Sequence, residues 1–407
     1  MRTPCERMKE SMKLSKRIDR LVPSATNAMA TKAKEMKARG ESVISFTTGE
    51  PDFDSPEAAF RYARNAMERG ETHYTPTGGI APLKKAVADY YLRHFNLAYD
   101  PAEIITGTGA KQLLFEALGC LIDPGDEVIL FAPVWVSYFE QIRLFDGVPV
   151  VLNTAEGEFL PSPEAFEAAI TERTVAVVLN NPNNPSGAVY PSSLLKTLAE
   201  IALKHNVVII NDEVYERLVY GVSFGPHLLE LVPEARGHVL NVNGVSKSFA
   251  MTGWRLGYAL GPQKLVKAMA SLQGHLTSNT SSISQWAAVG ALTEADDGVE
   301  IMRQVYEKRR ILMMEILGKI RGIECSLPEG AFYVFVKIAS CLGKSFDGFM
   351  IEDDVSFCEA LLREKGVGLV PGSAFLYPGY VRFSYSCSDE HIVEGLERFG
   401  AFVRDLR

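Results

Sequence analysis

The sequence predicts an α/β protein: a large domain with a mostly parallel sheet flanked by helices, then a smaller α+β domain. Three observations carry this. From about residue 100 short β-branched runs alternate with segments of helical spacing, the pattern of βαβ units. Several of those runs lack polar alternation, as strands buried on both faces do. After residue 300 the texture changes to a charged helix followed by short strands and further helices.

Residues 24–39, "SATNAMATKAKEMKAR", set Ala25, Ala28, Met29, Ala33 and Met36 at helical spacing, with Ser24 as N-cap and Gly40 as the stop. The chain must enter the large domain near Asp52, so this helix is expected to pack with the small domain. Strands are expected at "EIIT" (103–106), "EVILFA" (127–132), "VAVVLN" (175–180), "VVIIN" (207–211), "HVLNVN" (238–243) and "GYAL" (257–260), with helices such as 111–121 and 192–204 between them. Beyond these come the helix "VEIMRQVYEKRRILMMEIL", strands "FYVFV" and "VRFSY", and helices at 354–365 and 389–404. The stretch "SCLGKSFDGFMIEDD" (340–354) reads as an exposed loop. The expected division is an N-terminal segment at 1–52, a large domain at 53–299 and a small domain at 300–407.

The chain has 407 residues, 47% hydrophobic and 23% charged, an ordinary globular composition with length enough for two domains. Its 42 basic and 50 acidic residues give a net charge of −8 without a long basic run, which argues against nucleic acid or an anionic membrane as a partner. No apolar stretch approaches the roughly 18 residues of a membrane span. The N-terminus, "MRTPCERMKESMKLSKR", lacks the apolar core of a signal peptide and carries acids. Six cysteines are scattered without CxxC spacing, and no pair of the seven histidines has metal-ligand spacing. A cytoplasmic protein with reduced thiols and no metal is the expectation.

In open α/β sheets ligands bind outside the carboxyl ends of the parallel strands, and the chemically unusual residues fall there. After "EIIT" comes "GTGAKQ", a glycine-rich turn into a helix whose first amides can hold a phosphate. "EVILFA" leads to Trp135, "VAVVLN" to "NPNNPSG" with Asn184, "VVIIN" to Asp212 and Tyr215, and "HVLNVN" to Ser246 and Lys247. Each has a plain structural alternative: a helix cap for Asp212, core for Trp135, a turn for "NNP". Their convergence on one rim outweighs those readings. A ligand meeting all of them needs a phosphate, a planar ring, a ring nitrogen, a phenolic oxygen and an aldehyde. Pyridoxal phosphate has these, and its usual protein partners are a Schiff-base lysine and an acid or arginine at the ring nitrogen.

The chain resembles the class I, fold type I aminotransferases, particularly the bacterial aspartate-aminotransferase-like subgroup. The resemblance covers nearly the whole chain, through "PSATNAMATKAKEM", "GEPDFDSP", "YTPTGG", "NNPNNPSGAVYP", "DEVYE", "SKSFAMTGWRLGY", "PEGAFYVF", "PGSAF" and "VRFSY". It implies that Lys247 forms the internal aldimine and serves as nucleophile and general base, in an apolar setting that keeps its displaced amine neutral. By the same resemblance Arg255 pairs with the cofactor phosphate, which Gly109, Ala110 and Lys111 cradle and Ser246 contacts. Asp212 then keeps the pyridine nitrogen protonated, Tyr215 and Asn184 bond the phenolic oxygen, and Trp135 stacks on the ring. Arg382 clamps the substrate α-carboxylate, and Gly49 lets the backbone approach that carboxylate. Tyr74 corresponds to a tyrosine that reaches the neighbouring subunit's phosphate, implying a homodimer with shared sites. The implied reaction is ping-pong transfer of an amino group from an L-amino acid to a 2-oxo acid.

Other readings are weaker. "GVSKS" (244–248) half-matches a hydrolase nucleophile elbow but ends in Ser248, and "GTGAKQ" replaces the third glycine of a dinucleotide fingerprint with Gln112. The aminotransferase-like module of transcription regulators needs a DNA-binding domain ahead of the fold, and only about 20 residues precede the first matched segment. A lyase or synthase on the same cofactor fold is the serious alternative. No Lys or Arg lies between Lys111 and Arg143 or between Lys267 and Arg303. That disfavours a dedicated aspartate enzyme by the route of a second cation there, and a neutral or aromatic amino acid stands equally open.

Overall fold

The computed structural model describes residues 12, 14–21 and 25–407. A short strand β1 (Ile44–Ser45) comes first. Seven strands then form the main sheet: β2 (Ile104–Gly107), β3 (Glu127–Ala132), β4 (Val148–Asn153), β5 (Thr174–Asn180), β6 (Val208–Asp212), β7 (Val239–Gly244) and β8 (Gly257–Leu260). Their spatial order is β2-β8-β7-β6-β5-β3-β4. All pairings are parallel except those of β8, which runs antiparallel to both β2 and β7. Because β8 alone is reversed, β2, β3, β5, β6 and β7 end on one rim.

The unbroken apolar runs are explained by two buried faces. Ile129, Val177, Ile209 and Val239 point into a core shared with Leu83, Tyr90 and Leu198. Their chain neighbours Val128, Val178, Ile210 and Leu240 point into a second core with Leu113, Leu114 and Met269. Successive strand residues alternate faces, so a strand covered on both sides must be apolar throughout. Helix Ala110–Leu121 matches its expected position within one residue, and Ser192–Lys204 coincides with it. Among the described residues no helix is long and apolar enough to cross a membrane.

The second sheet has the order β14-β15-β10-β9, built from β9 (Glu324–Cys325), β10 (Tyr333–Lys337), β14 (Val370–Pro371) and β15 (Tyr380–Ser384). Helices Asp354–Lys365 and Asp389–Asp405 cover it. The early helix Ala25–Ala38 buries Met29, Ala33 and Met36 in the same core as Phe383, Leu396 and Phe399. β1 pairs in parallel with β13 (Val367–Gly368). The two make a separate two-stranded sheet, and the Ser384 amide of β15 donates to the Phe46 carbonyl at 3.0 Å, which fastens the segment after β1 to the second sheet as it carries Gly49 to the rim of the first. The expected cap Ser24 lies outside the described residues.

Two expectations need correction. Residues 340–354 do not form a plain exposed loop: β11 (Ser345–Phe346) and β12 (Phe349–Met350) make a hairpin, and Cys341, Phe346 and Ile351 are buried. Asp347 and Gly348 both have positive φ, which lets the chain reverse in two residues. β4 was not expected at all. It is an edge strand bonded only to β3, and Pro149 within it masks the strand pattern.

Candidate active site

At the rim, β2, β8 and β7 are in register through Gly107, Gly257 and Gly244. Gly257 lets the start of helix Ala110–Leu121 lie directly on the sheet edge. A Cβ at Gly257 would collide with the Ala110 amide, and one at Gly244 would fall 2.9 Å from the Leu256 carbonyl. Gly109 caps that helix at φ +82°, and a Cβ there would fall 2.6 Å from Arg255 Nη2. The first-turn amides of Ala110 and Lys111 and the exposed Arg255 guanidinium therefore face one small space. Arg255 is itself left-handed (φ 53°) and holds the carbonyls of Thr252 (2.8 Å) and Thr108 (3.4 Å). Helix-start amides beside a cation make a site for an anion.

Next to that cradle opens a cavity of about 560 Å³. Gly49, Ala110, Lys111, Trp135, Asn184, Asp212, Tyr215, Ser246, Lys247, Arg255 and Arg382 all line it. Of the sequence-predicted positions only Gly109, which lies behind Arg255, and Tyr74 are not among its lining residues. Tyr74 is 92% exposed on the outer surface.

Lys247 Nζ donates to the Gly49 carbonyl. Burial lowers its amine to about 8, with Arg382 and Arg255 pushing the same way and Glu50 and Asp212 opposing them. Asp212, at the end of β6, accepts from the Tyr138 hydroxyl at Oδ2 and from the Val214 amide at Oδ1 (3.3 Å). Burial raises its carboxyl to about 6 against the pull of those two bonds. Tyr215 shares a 2.9 Å hydrogen bond with Tyr333, and burial first, then Tyr333, raises its phenol well above the usual value. Trp135 stands edge-on to Tyr138 with centroids 5.2 Å apart and carries Lys111 Nζ 4.7 Å from its ring centroid.

Arg382 is not a surface cross-strand residue. It is 2% exposed and lies over the Tyr333 ring at 4.4 Å. Its Nη1 donates to Asn184 Oδ1 (3.0 Å) and its Nη2 to the Thr47 carbonyl (2.9 Å), both neutral oxygens. Its Nε has no partner among the described residues. A buried guanidinium whose hydrogen bonds go only to neutral groups, with its Nε–H left unpartnered, is built to receive an anion.

Sequence reasoning missed Tyr138, Tyr333, Glu50 and Thr252, which line the same cavity. Tyr138 could have been found, since it follows Trp135 by one helical turn. Tyr333, Glu50 and Thr252 become site residues only through tertiary contacts.

Comparison with known proteins decides the family. The model of aminotransferase class I and II matches residues 41–399. The chain belongs to that family. This aminotransferase is 44% identical to an aspartate aminotransferase of Geobacillus stearothermophilus over 96% of its own length and 99% of the relative's. It is 43% identical to an aspartate/prephenate aminotransferase of Thermus thermophilus over 95% and 97%. The crystal structure of an aspartate aminotransferase from Rhizobium meliloti superposes with a TM-score of 0.93 at 42% identity, covering 98% of this chain and all of that one. A Thermus thermophilus aspartate aminotransferase with maleate superposes at 0.90 and 42%, covering 96% of this chain and 100% of that one. The fold, an aspartate-aminotransferase-like fold type I architecture, and the transfer of an amino group are those of the family. The comparisons lend no support to the lyase or synthase alternative.

Proposed function

We propose that this aminotransferase works with pyridoxal 5′-phosphate held in the 560 Å³ cavity and takes a dicarboxylic L-amino acid as amino donor. The residues suit the cofactor: a glycine-cleared helix start beside Arg255 for the phosphate, Asp212 for the ring nitrogen, Tyr215 and Asn184 for the phenolic oxygen, and Trp135 for the ring face. When bound, that group supplies an aldehyde carbon for the amine and a ring that accepts the electron pair left at the substrate Cα.

The chain's own residues do the rest. Lys247, with its amine lowered to about 8, presents a nucleophilic Nζ near neutral pH and, once displaced, takes the proton from the substrate Cα. Asp212 holds a proton on the ring nitrogen. Arg382 orients the α-carboxylate through its unpartnered edge, so that the Cα proton faces Lys247.

The observation that carries the reading is the pairing, in one cavity, of a lysine with a depressed pKa and a buried arginine lacking an anion. For the distal carboxylate the cations of the cavity can be counted among the described residues. Lys247 is the reacting amine, Arg382 takes the α-carboxylate and Arg255 the phosphate, which leaves Lys111. Burial and Arg255 lower its amine, as expected of a cation whose anion arrives with the substrate. The aspartate named for the relatives, and the maleate named with one of them, are dicarboxylates. This turns the sequence expectation around, since a second cation need not come from the stretches that lack one. The fully exposed Tyr74 is assigned to the phosphate site of a second subunit, and the homodimer to the cytoplasm.

The test is borohydride reduction of the cofactor-loaded protein followed by peptide mapping. The reading expects the pyridoxyl mass on the peptide carrying Lys247 and none on Lys247→Ala. A label on another lysine overturns it.

A further inference from the structure

Glu50 is a second acid at the cavity that the assignments above leave without a role. It sits in the segment between β1 and Asp52, and that segment is fixed along its length. Arg382 Nη2 holds the Thr47 carbonyl, the Ser386 hydroxyl donates to the Glu50 carbonyl, and Arg309 Nη1 reaches both oxygens of Asp52 at 2.9 Å. The backbone of Glu50 is therefore anchored from the side of the second sheet. Its side chain lines the cavity and accepts from Thr252 Oγ1 at 2.7 Å. Thr252 belongs to the loop between Lys247 and Arg255, and its carbonyl holds Arg255 Nη1 at 2.8 Å. One residue before Glu50, the Gly49 carbonyl takes the bond from Lys247 Nζ.

The charged groups acting on Lys247 are Arg255 on its own loop, Arg382 on β15, Asp212 at the end of β6, and Glu50. Lys111, Tyr138, Tyr215 and Tyr333 line the same cavity. Asp212 is occupied by Tyr138 and, in the proposed function, by the ring nitrogen. Glu50 is the acid left to answer the two arginines.

We propose that Glu50 is a positioning residue for Lys247: held at the cavity by Thr252, its carboxylate offsets Arg255 and Arg382 at the lysine amine. The Gly49 carbonyl that holds Lys247 Nζ belongs to the residue before Glu50, which sets Glu50 beside the amine, and its carboxylate acts to raise the amine's pKa. Without it Asp212 alone would offset the two arginines, and the amine would lose its proton at a lower pH. This inference rests on the proposed function for its meaning, because only a reacting lysine needs its proton state set. Its physical content is independent of any cofactor.

The experiment measures the lysine directly. The full-length protein, freed of bound small molecules, is labelled with limiting acetic anhydride across a pH series, and acetylation of the Lys247 peptide is read by mass spectrometry. Glu50→Gln is expected to move the midpoint to lower pH by about 0.5–1 unit, the size of one charge acting across a water-exposed gap. Thr252→Val should move it the same way by less, because the carboxylate remains but is no longer held. Glu50→Asp should recover part of the shift. A purely structural role would lower stability or cofactor affinity and leave the midpoint in place.

A wild-type midpoint in a folded Glu50→Gln protein overturns the proposal, and so does an equal shift in Glu68→Gln at the exposed far end of the helix Glu57–Glu68. If Glu50→Gln does not fold, a wild-type midpoint in Thr252→Val overturns it. Failure of the proposed function looks different: Lys247→Ala would still load cofactor covalently, whatever Glu50 does.

Discussion

Replacing Arg382 with lysine keeps the charge but removes the planar fork, and its cost can be worked from the contacts. Arg382 uses Nη1 on Asn184 and Nη2 on the Thr47 carbonyl, and leaves Nε free. A side-on carboxylate would take Nε–H and the second hydrogen of Nη2, two charge-assisted bonds of about 1.5–3 kcal/mol each. A lysine ammonium has three donors. If two satisfy Asn184 and Thr47, one remains, so about one charge-assisted bond is lost. A loss of about 1.5–3 kcal/mol corresponds to roughly 10- to 150-fold in kcat/KM. The assay is steady-state amino transfer by Arg382→Lys with the preferred amino acid and with the same amine lacking its α-carboxylate. Cofactor titration and a thermal melt alongside confirm loading and folding. The amino acid should lose that factor and the truncated amine almost none. A kcat/KM within about threefold of wild type, or an equal loss with both substrates, refutes the reasoning.

Two further predictions follow from buried acids. Tyr138→Phe removes the donor to Asp212 Oδ2 that holds its carboxyl down. The acid limb of the pH–rate profile should move to higher pH and stability should fall by about 1–3 kcal/mol; an unmoved acid limb would show that Tyr138 does not act on Asp212. Glu216, buried and bonded by the Tyr90 hydroxyl at 2.7 Å, is raised by burial from 4.5 to about 7. The folded protein therefore holds this proton more tightly than the unfolded chain does. The contribution is complete below 4.5 and is lost as pH rises through about 7, a swing of roughly 3 kcal/mol. Urea denaturation across that window should show Glu216→Gln with a flatter stability profile than wild type, and parallel profiles would contradict the buried-proton account.

Much of this architecture is legible in the chain because burial on both faces leaves no freedom in composition. Runs such as "EVILFA" and "VAVVLN" cannot be amphipathic helices or half-exposed strands, and β3 and β5 appear where they stand. The site residues are legible for a related reason. The parallel strands end on one rim, so Trp135, Asn184, Asp212 and Lys247 converge once the strand direction is known, and the resemblance then supplies Arg382 from a distant strand. What stayed hidden lacks a local signal. β4 is half-exposed at an edge and contains Pro149. The hairpin at 345–350 is only two residues per strand and is stabilised by burial of Phe346 and Ile351 against other elements. Glu50 and Thr252 are ordinary polar residues about 200 positions apart in sequence, and their segments meet only through tertiary contacts such as those of Arg382 with Thr47, Ser386 with Glu50 and Lys247 with Gly49.

The measurement that tests the central claim most directly is an absorbance spectrum of the purified, cofactor-loaded protein before and after single amino acids, followed by a 2-oxo acid. The account predicts that a dicarboxylic amino acid converts the spectrum to that of the amine form of the cofactor, that a 2-oxo acid restores it, and that Lys247→Ala shows neither change. A protein that takes up no cofactor, or a Lys247→Ala variant that cycles like wild type, would contradict it.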